Sequence, residues 1–246
     1  MRKTVDIMGV HIDSTVISEA VDTVKSFLNE NGAKSVFTPN SEILINANKD
    51  PFLKNVLNSA DLCIPDGAGV LLAARILGLD LPEKVSGVDL VKALFSSNFE
   101  RKIKYYILGA KPGIAEEAAA KIEENYHNAI VVGCKDGYFK DADEDQIIDA
   151  INASGADILL VGLGVPKQEI WIHKHKDRLN VKECFGIGGS IDIFAGRIKL
   201  APEIMRRAGF EWLFRLYKEP WRYKRMLNLP KFILNIISIR MGISRG

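Results

Sequence analysis

The chain has 246 residues, 47% of them apolar, and a formal charge of +2; that is enough to bury a sizeable core, in one domain or two small ones. No N-terminal run has the form of a signal peptide and none approaches the roughly 20 apolar residues of a bilayer span, so the expected location is the cytoplasm. Cys63, Cys134 and Cys184 form no CxxC pair, and His173 and His175 on a helix would point about 200° apart, which leaves no Cys/His metal framework.

In chain order, Ser14 is placed to cap a helix over "TVISEAVDTVKSFLNEN", whose Val16, Ala20, Val24 and Phe27 fall on one stripe, with Gly32 as a left-handed stop. Short apolar runs then alternate with helical stretches: "SVFT", "DLCIP", "KIKYYILG", "AIVVGC", "DILLVGLG" and "CFGIGG". Pro112 is expected to open the helix "PGIAEEAAAKIEEN", where its missing N–H costs nothing. This alternation predicts an α/β fold: an open, mostly parallel, Rossmann-like sheet with helices on both faces, over residues 1–195.

Residues 196–246 differ in kind. They read as three short helices punctuated by Pro202, Pro220 and Pro230, without strand alternation. From Arg197 onward there are 12 Lys/Arg against 3 Asp/Glu, whereas the preceding residues carry 21 against 28. A basic, aromatic-rich helical appendage of this kind points to an anionic partner. "FILNIISI" beside Lys/Arg and aromatics suits a helix lying in a lipid surface, while no nucleic-acid-binding motif accompanies the charge.

Four strand-to-helix junctions carry the candidate chemistry: "FTPNSE" (Thr38, Asn40, Glu42), "IPDGAG" (Asp66), "LGAKPG" (Gly109, Lys111, Gly113) and "GLGVPKQEIW" (Gly162, Gly164, Gln168). In a parallel sheet the carboxyl ends of the strands share one edge, so these junctions converge on one crevice. Each has a plain structural reading as well. Thr38 and Asn40 suit a turn and a helix cap as much as ligand contact. "LGAKPG" is either a phosphate cradle, with backbone N–H groups and Lys111, or a tight turn. Asp66 either caps a helix or acts as a base. "GLGVP" lacks the third glycine of a dinucleotide fingerprint, which argues against a nicotinamide oxidoreductase. Asp141, Asp143 and Asp145 have the DxD spacing of a divalent-ion site, but preceding a helical run they suit capping.

Taken in order, "TPNSEI", "IPDGAGV", "VSGVDL", "LGAKPG", "GYF", "GLGVPKQEIW", "GIGGSIDIFAG" and "EWLFRLYKEPWRYKR" resemble the WecG/TagA/CpsF family of bacterial glycosyltransferases over nearly the whole chain. The resemblance implies a metal-independent, inverting transfer from a UDP-sugar to a polyprenyl-diphosphate-linked N-acetylglucosamine (GlcNAc), with no cofactor. For the teichoic-acid branch the donor is UDP-N-acetylmannosamine; other branches use N-acetylmannosaminuronate or a hexose. It further implies Asp66 as general base and Thr38, Asn40 and Gln168 as substrate contacts. Arg215, Arg222 and Arg225 would then stabilise departing UDP, with Tyr138 and Asp192 at the base and ribose. The appendage would close the site and meet the inner face of the cell membrane; a homo-oligomer that covers its apolar face is compatible. A non-catalytic, membrane-associated nucleotide-binding module is the alternative of another class.

Overall fold

The computed structural model describes residues 2–207, 209–218 and 228–243, with the side chains of Arg207 and Arg215 outside that description. The chain opens with a hairpin, β1 (Thr4–Ile7) and β2 (Val10–Asp13), that the sequence reading did not anticipate. Its two-residue turn is Met8-Gly9, both at positive φ, with the Gly9 N–H donating to Asp6 Oδ1. The usual signal for such a turn is Asn-Gly or Asp-Gly. A methionine in the first position hides it.

Helix α1 (Ile17–Phe27) starts three residues after Ser14. Its amino end is closed by Glu19, which accepts from the Val16 N–H, while the Ser14 hydroxyl donates to the Asp80 carbonyl. The rest alternates as the pattern predicts: β3 (Lys34–Phe37), α2 (Ser41–Lys49), α3 (Pro51–Asn58), β4 (Leu62–Cys63), α4 (Ala68–Leu77), α5 (Gly87–Phe95), β5 (Ile103–Gly109), α6 (Ile114–Asn125), β6 (Ala129–Lys135), α7 (Glu144–Ser154), β7 (Ile158–Gly162), α8 (Lys167–His175), β8 (Glu183–Gly186) and α9 (Ser190–Phe194). Helix α6 begins at Ile114, two residues after Pro112, because Gly113 takes a left-handed φ of +83° at its cap.

Six strands form one parallel sheet in the order β4-β3-β8-β7-β5-β6. Side chains alternate between its faces with period two. Ile103, Tyr105 and Ile107 of β5 join the core beneath α1, α5, α6 and α9, whereas Tyr106 and Leu108 join the core beneath α2, α3, α4, α7 and α8. The fold is thus the doubly wound α/β architecture that the alternating runs imply. Edge strand β4 does not end in open solvent: the buried Asp13 carboxylate of the hairpin accepts from the Cys63 N–H at 2.7 Å and pairs with Arg2 at 2.9 Å. Covering an edge in this way removes a template for unwanted strand pairing.

Among the described residues three helices follow: α10 (Glu203–Arg207), α11 (Glu211–Lys218) and α12 (Asn228–Arg240). They divide sharply. Phe232 and Ile236 of α12 are fully buried against α2 and α4, each burial stabilising by about 1.5 to 3 kcal/mol. On α10, α11 and the turn between them, Ile204 (82%), Phe210 (51%) and Tyr217 (78%) are exposed. The ion pairs Arg206–Asp89 at 2.8 Å and Lys84–Glu211 at 3.1 Å tie that exposed part to the sheet unit.

Candidate active site

The carboxyl ends of the strands lie along one edge, and backbone contacts join the junctions there into a continuous line. The Gly137 N–H donates to the Ala110 carbonyl at 2.9 Å, and the Ala110 N–H to the Gly162 carbonyl at 3.2 Å. A Cβ on Gly162 would come within 2.8 Å of the Gly188 carbonyl oxygen, and Gly109, at φ +141°, packs directly on Gly162. Glycine is required at both places because backbone approaches backbone. Gln168 Oε1 accepts from the Gly188 N–H at 2.9 Å, the Thr38 hydroxyl donates to the Gly186 carbonyl at 3.3 Å, and the Asp66 N–H donates to the Pro39 carbonyl at 3.1 Å. From β6 to β4 the junctions that the sequence singles out therefore stand side by side. Connections leave adjacent strands β3 and β8 toward opposite faces of the sheet, α2 to one and α9 to the other, which opens a crevice between them.

At the β4-β3-β8 end stand Asp66, Thr38 and Asn40, all half-buried. Gly67, at φ +90°, a conformation that glycine adopts without strain, turns the chain from Asp66 into α4. Asn40 Oδ1 accepts from the N–H groups of Glu42 and Ile43, so that oxygen caps α2 and the Nδ2 group is what it can offer a ligand. Gly87 at the start of α5 packs close to Thr38: a Cβ there would lie 3.2 Å from the Thr38 side chain.

At the β7-β5-β6 end, Gly109, Lys111 and Gly113 form the turn into α6, and Lys111 is exposed. Tyr138 is 70% exposed beside it, its N–H donating to Asp136 Oδ1. Gly164 supplies the carbonyl that receives the Gln168 N–H in the first turn of α8. Asp192 lies half-buried on α9, next to the Gly162–Ile191 contact. Backbone N–H groups at a helix start beside a lysine make an anion-binding corner. The two ends of the crevice thus differ in chemistry, carboxylate and amide at one and cationic glycine turn at the other.

Gln168 is the predicted site residue whose placement differs most from ligand contact. It is 2% exposed, and both ends of its amide are committed, one to Gly188 and the other, through Nε2, to Glu169 Oε1 at 2.8 Å. Glu169 was not singled out in the sequence. It is also 2% exposed, and burial pushes the pKa of its carboxyl up to about 7. Of the DxD residues, Asp143 accepts from the Lys140 N–H and Asp145 pairs with Arg178 at 2.7 Å, the roles of cap and surface ion pair. Arg215 lies on α11, its side chain outside the described residues, as are Arg222 and Arg225 entirely.

The family model described as "Glycosyl transferase WecG/TagA/CpsF family" matches residues 5–246. The chain belongs to this glycosyltransferase family. An N-acetylglucosaminyldiphosphoundecaprenol N-acetyl-beta-D-mannosaminyltransferase of Bacillus spizizenii is 33% identical over 226 residues, covering 92% of this chain and 87% of its own length. The Bacillus subtilis enzyme of the same name is 32% identical over 227 residues, covering 92% and 88%. That of Staphylococcus aureus strain MRSA252 is 30% identical over 244 residues, covering 98% and 95%. The family match extends through α10, α11 and α12. Among the described residues no helix is long and apolar enough to cross a membrane.

Proposed function

We propose that this glycosyltransferase moves N-acetylmannosamine from UDP-N-acetylmannosamine to undecaprenyl-diphosphate-linked GlcNAc, without a metal ion and with inversion, forming the linkage disaccharide of wall teichoic acid. The names of the three relatives support the substrates. The observation that carries the chemistry is the setting of Asp66: a half-buried carboxylate at the carboxyl edge of β4, beside Thr38 and Asn40 and across the crevice from the cationic turn at Lys111.

In this reading Asp66 takes the proton of the acceptor hydroxyl while that oxygen forms a bond to the anomeric carbon. The bond from that carbon to the UDP oxygen breaks, and UDP leaves with the electron pair. One base on the face opposite the leaving group suffices, and no covalent intermediate forms. Thr38 and Asn40 orient the sugars. Gln168 acts by fixing the Gly188 backbone, while Gly109, Lys111, Gly113, Gly162, Gly164, Tyr138 and Asp192 line the nucleotide end. The guanidinium groups of Arg215, Arg222 and Arg225 supply the positive charge that a divalent ion provides in other sugar-nucleotide enzymes. Residues 196–246 close the site, and the exposed Ile204, Phe210 and Tyr217 rest on the anionic inner face of the membrane.

The test is product analysis with a panel of UDP-sugars and a short-chain lipid-diphosphate GlcNAc acceptor, with and without a chelator. The expected result is disaccharide from UDP-N-acetylmannosamine at a rate the chelator leaves unchanged. Transfer from a different donor, or loss of transfer on chelation, would overturn the donor assignment or the metal-independent reading respectively.

A further inference from the structure

Helix α4 leads away from Asp66, and one of its faces lines a cleft of about 520 Å³. Ala68, Leu71, Leu72 and Arg75 of that face follow the i, i+3, i+4, i+7 spacing of a single helical stripe, so the cleft floor changes from apolar to cationic along its length. Seven residues at 1.5 Å per residue put Arg75 about 10 Å along the helix from Ala68, a span comparable with a hexose and its first phosphate. The facing wall comes from the Pro82–Lys84 loop and from α10.

The charges of the cleft are unevenly committed. Arg206 pairs with Asp89, and Lys84 with Glu211. Among the carboxylates, Glu83 accepts from the Ile17 N–H and Asp89 from the Ser86 hydroxyl. Glu203 has an interaction partner of its own. Arg75 is exposed and pairs with no carboxylate among the described residues. Leu72, 44% exposed, lies one turn before it. An apolar strip that starts two residues after Asp66 and ends in a guanidinium with no carboxylate partner among the described residues has the chemistry to receive a polyprenyl-diphosphate headgroup: the planar fork for phosphate oxygens, the leucines for the first isoprene units.

We propose that this cleft is the acceptor subsite, in which Arg75 binds the diphosphate of the lipid-linked sugar while Leu71 and Leu72 contact the beginning of its polyprenyl chain. The inference rests on the lipid-diphosphate acceptor of the proposed function and adds to it a location and a residue. Binding here sets the distance between the anchored diphosphate and the hydroxyl presented to Asp66. The ion pairs of Lys84 and Arg206 hold the opposite wall in place.

Steady-state kinetics with two acceptors test it: a short-chain prenyl-diphosphate GlcNAc and a neutral alkyl GlcNAc glycoside without phosphate. In the parent enzyme the diphosphate acceptor should have the lower KM. Arg75→Gln should raise that KM about tenfold or more, the scale of a lost charge-assisted contact, with donor KM unchanged and the alkyl glycoside used as before. Arg75→Lys should recover part of the loss. Because Arg75 is exposed, thermal melting should match the parent, and a melt that does confirms that kinetics alone report on the site. A parent that fails to discriminate between the acceptors would refute the lipid-diphosphate reading itself. A discriminating parent whose acceptor KM is unmoved by Arg75→Gln would refute this subsite alone.

Discussion

Asp66 and Glu169 are both carboxylates at strand-to-helix junctions on the same edge of one sheet, and their settings are opposite. Asp66 stands half-buried at the start of α4, beside Thr38 and Asn40. Glu169 sits in the first turn of α8 with 2% of its surface exposed, its Oε1 accepting from Gln168 and its Oε2 without a hydrogen-bond partner. Burial without a counter-charge pushes the Glu169 carboxyl up to about 7, favouring its protonated form. What separates the proposed base from a structural acid here is access. A group sealed under β8 can hold Gln168, and through it Gly188, but cannot reach an incoming hydroxyl.

The largest effect expected from this contrast is on turnover. Asp66→Asn should lower the transfer rate ~10²- to 10⁴-fold with donor binding nearly kept, the range for loss of a general base. Glu169→Gln preserves shape and an acceptor oxygen for Gln168, and should change the rate by no more than about threefold, since the buried carboxyl moves no proton. Parallel assays of the two variants check both halves, and a Glu169→Gln loss as deep as that of Asp66→Asn would erase the distinction.

The smaller effect is on stability against pH. A carboxyl whose folded pKa is raised keeps extra protons in the native state, so it favours folding below the ordinary glutamate range and loses that contribution as pH rises through its folded value. For Glu169 the window runs from the ordinary glutamate range up to about 7. Glu183, fully buried on β8 with both oxygens unpartnered, shifts in the same direction through desolvation, and the buried His175 shifts down, so the parent profile mixes several groups. The difference between parent and Glu169→Gln isolates one of them. Denaturant midpoints should show the variant gaining roughly 1 to 3 kcal/mol relative to the parent as pH is raised across that window. A difference independent of pH would mean that Glu169 is ionised throughout.

The six strands of the main sheet were legible because each is an apolar run bounded by turn residues, with side chains packed on both faces, only partly so in edge strand β6. The convergence of the Thr38, Asp66, Gly109 and Gly162 junctions followed from parallel topology alone. The hairpin was missed because Met8 occupies a positive-φ position that gives no composition signal. Ser14 has the chemistry of a cap and spends its hydroxyl on Asp80 instead, a tertiary contact that local sequence does not announce. Gln168 and Glu169 are adjacent polar residues in a motif with glycine and proline, and nothing in that string distinguishes an amide aimed at a ligand from one folded under a strand. In the appendage, Phe232 and Ile236 go into the core while Phe210 and Ile204 stay outside, although all four belong to the same apolar and basic composition. Arg75 is one more basic residue in an amphipathic helix until α10 and the Pro82–Lys84 loop build a wall opposite it.

The central claim is a direct displacement assisted by one carboxylate, and the anomeric configuration of the product tests it most directly. NMR of the disaccharide formed from a UDP-α-linked donor should show a β linkage, because the acceptor oxygen attacks from the face opposite UDP. An α-linked product would require a second nucleophile or attack from the leaving-group side, and would contradict Asp66 as the sole catalytic carboxylate.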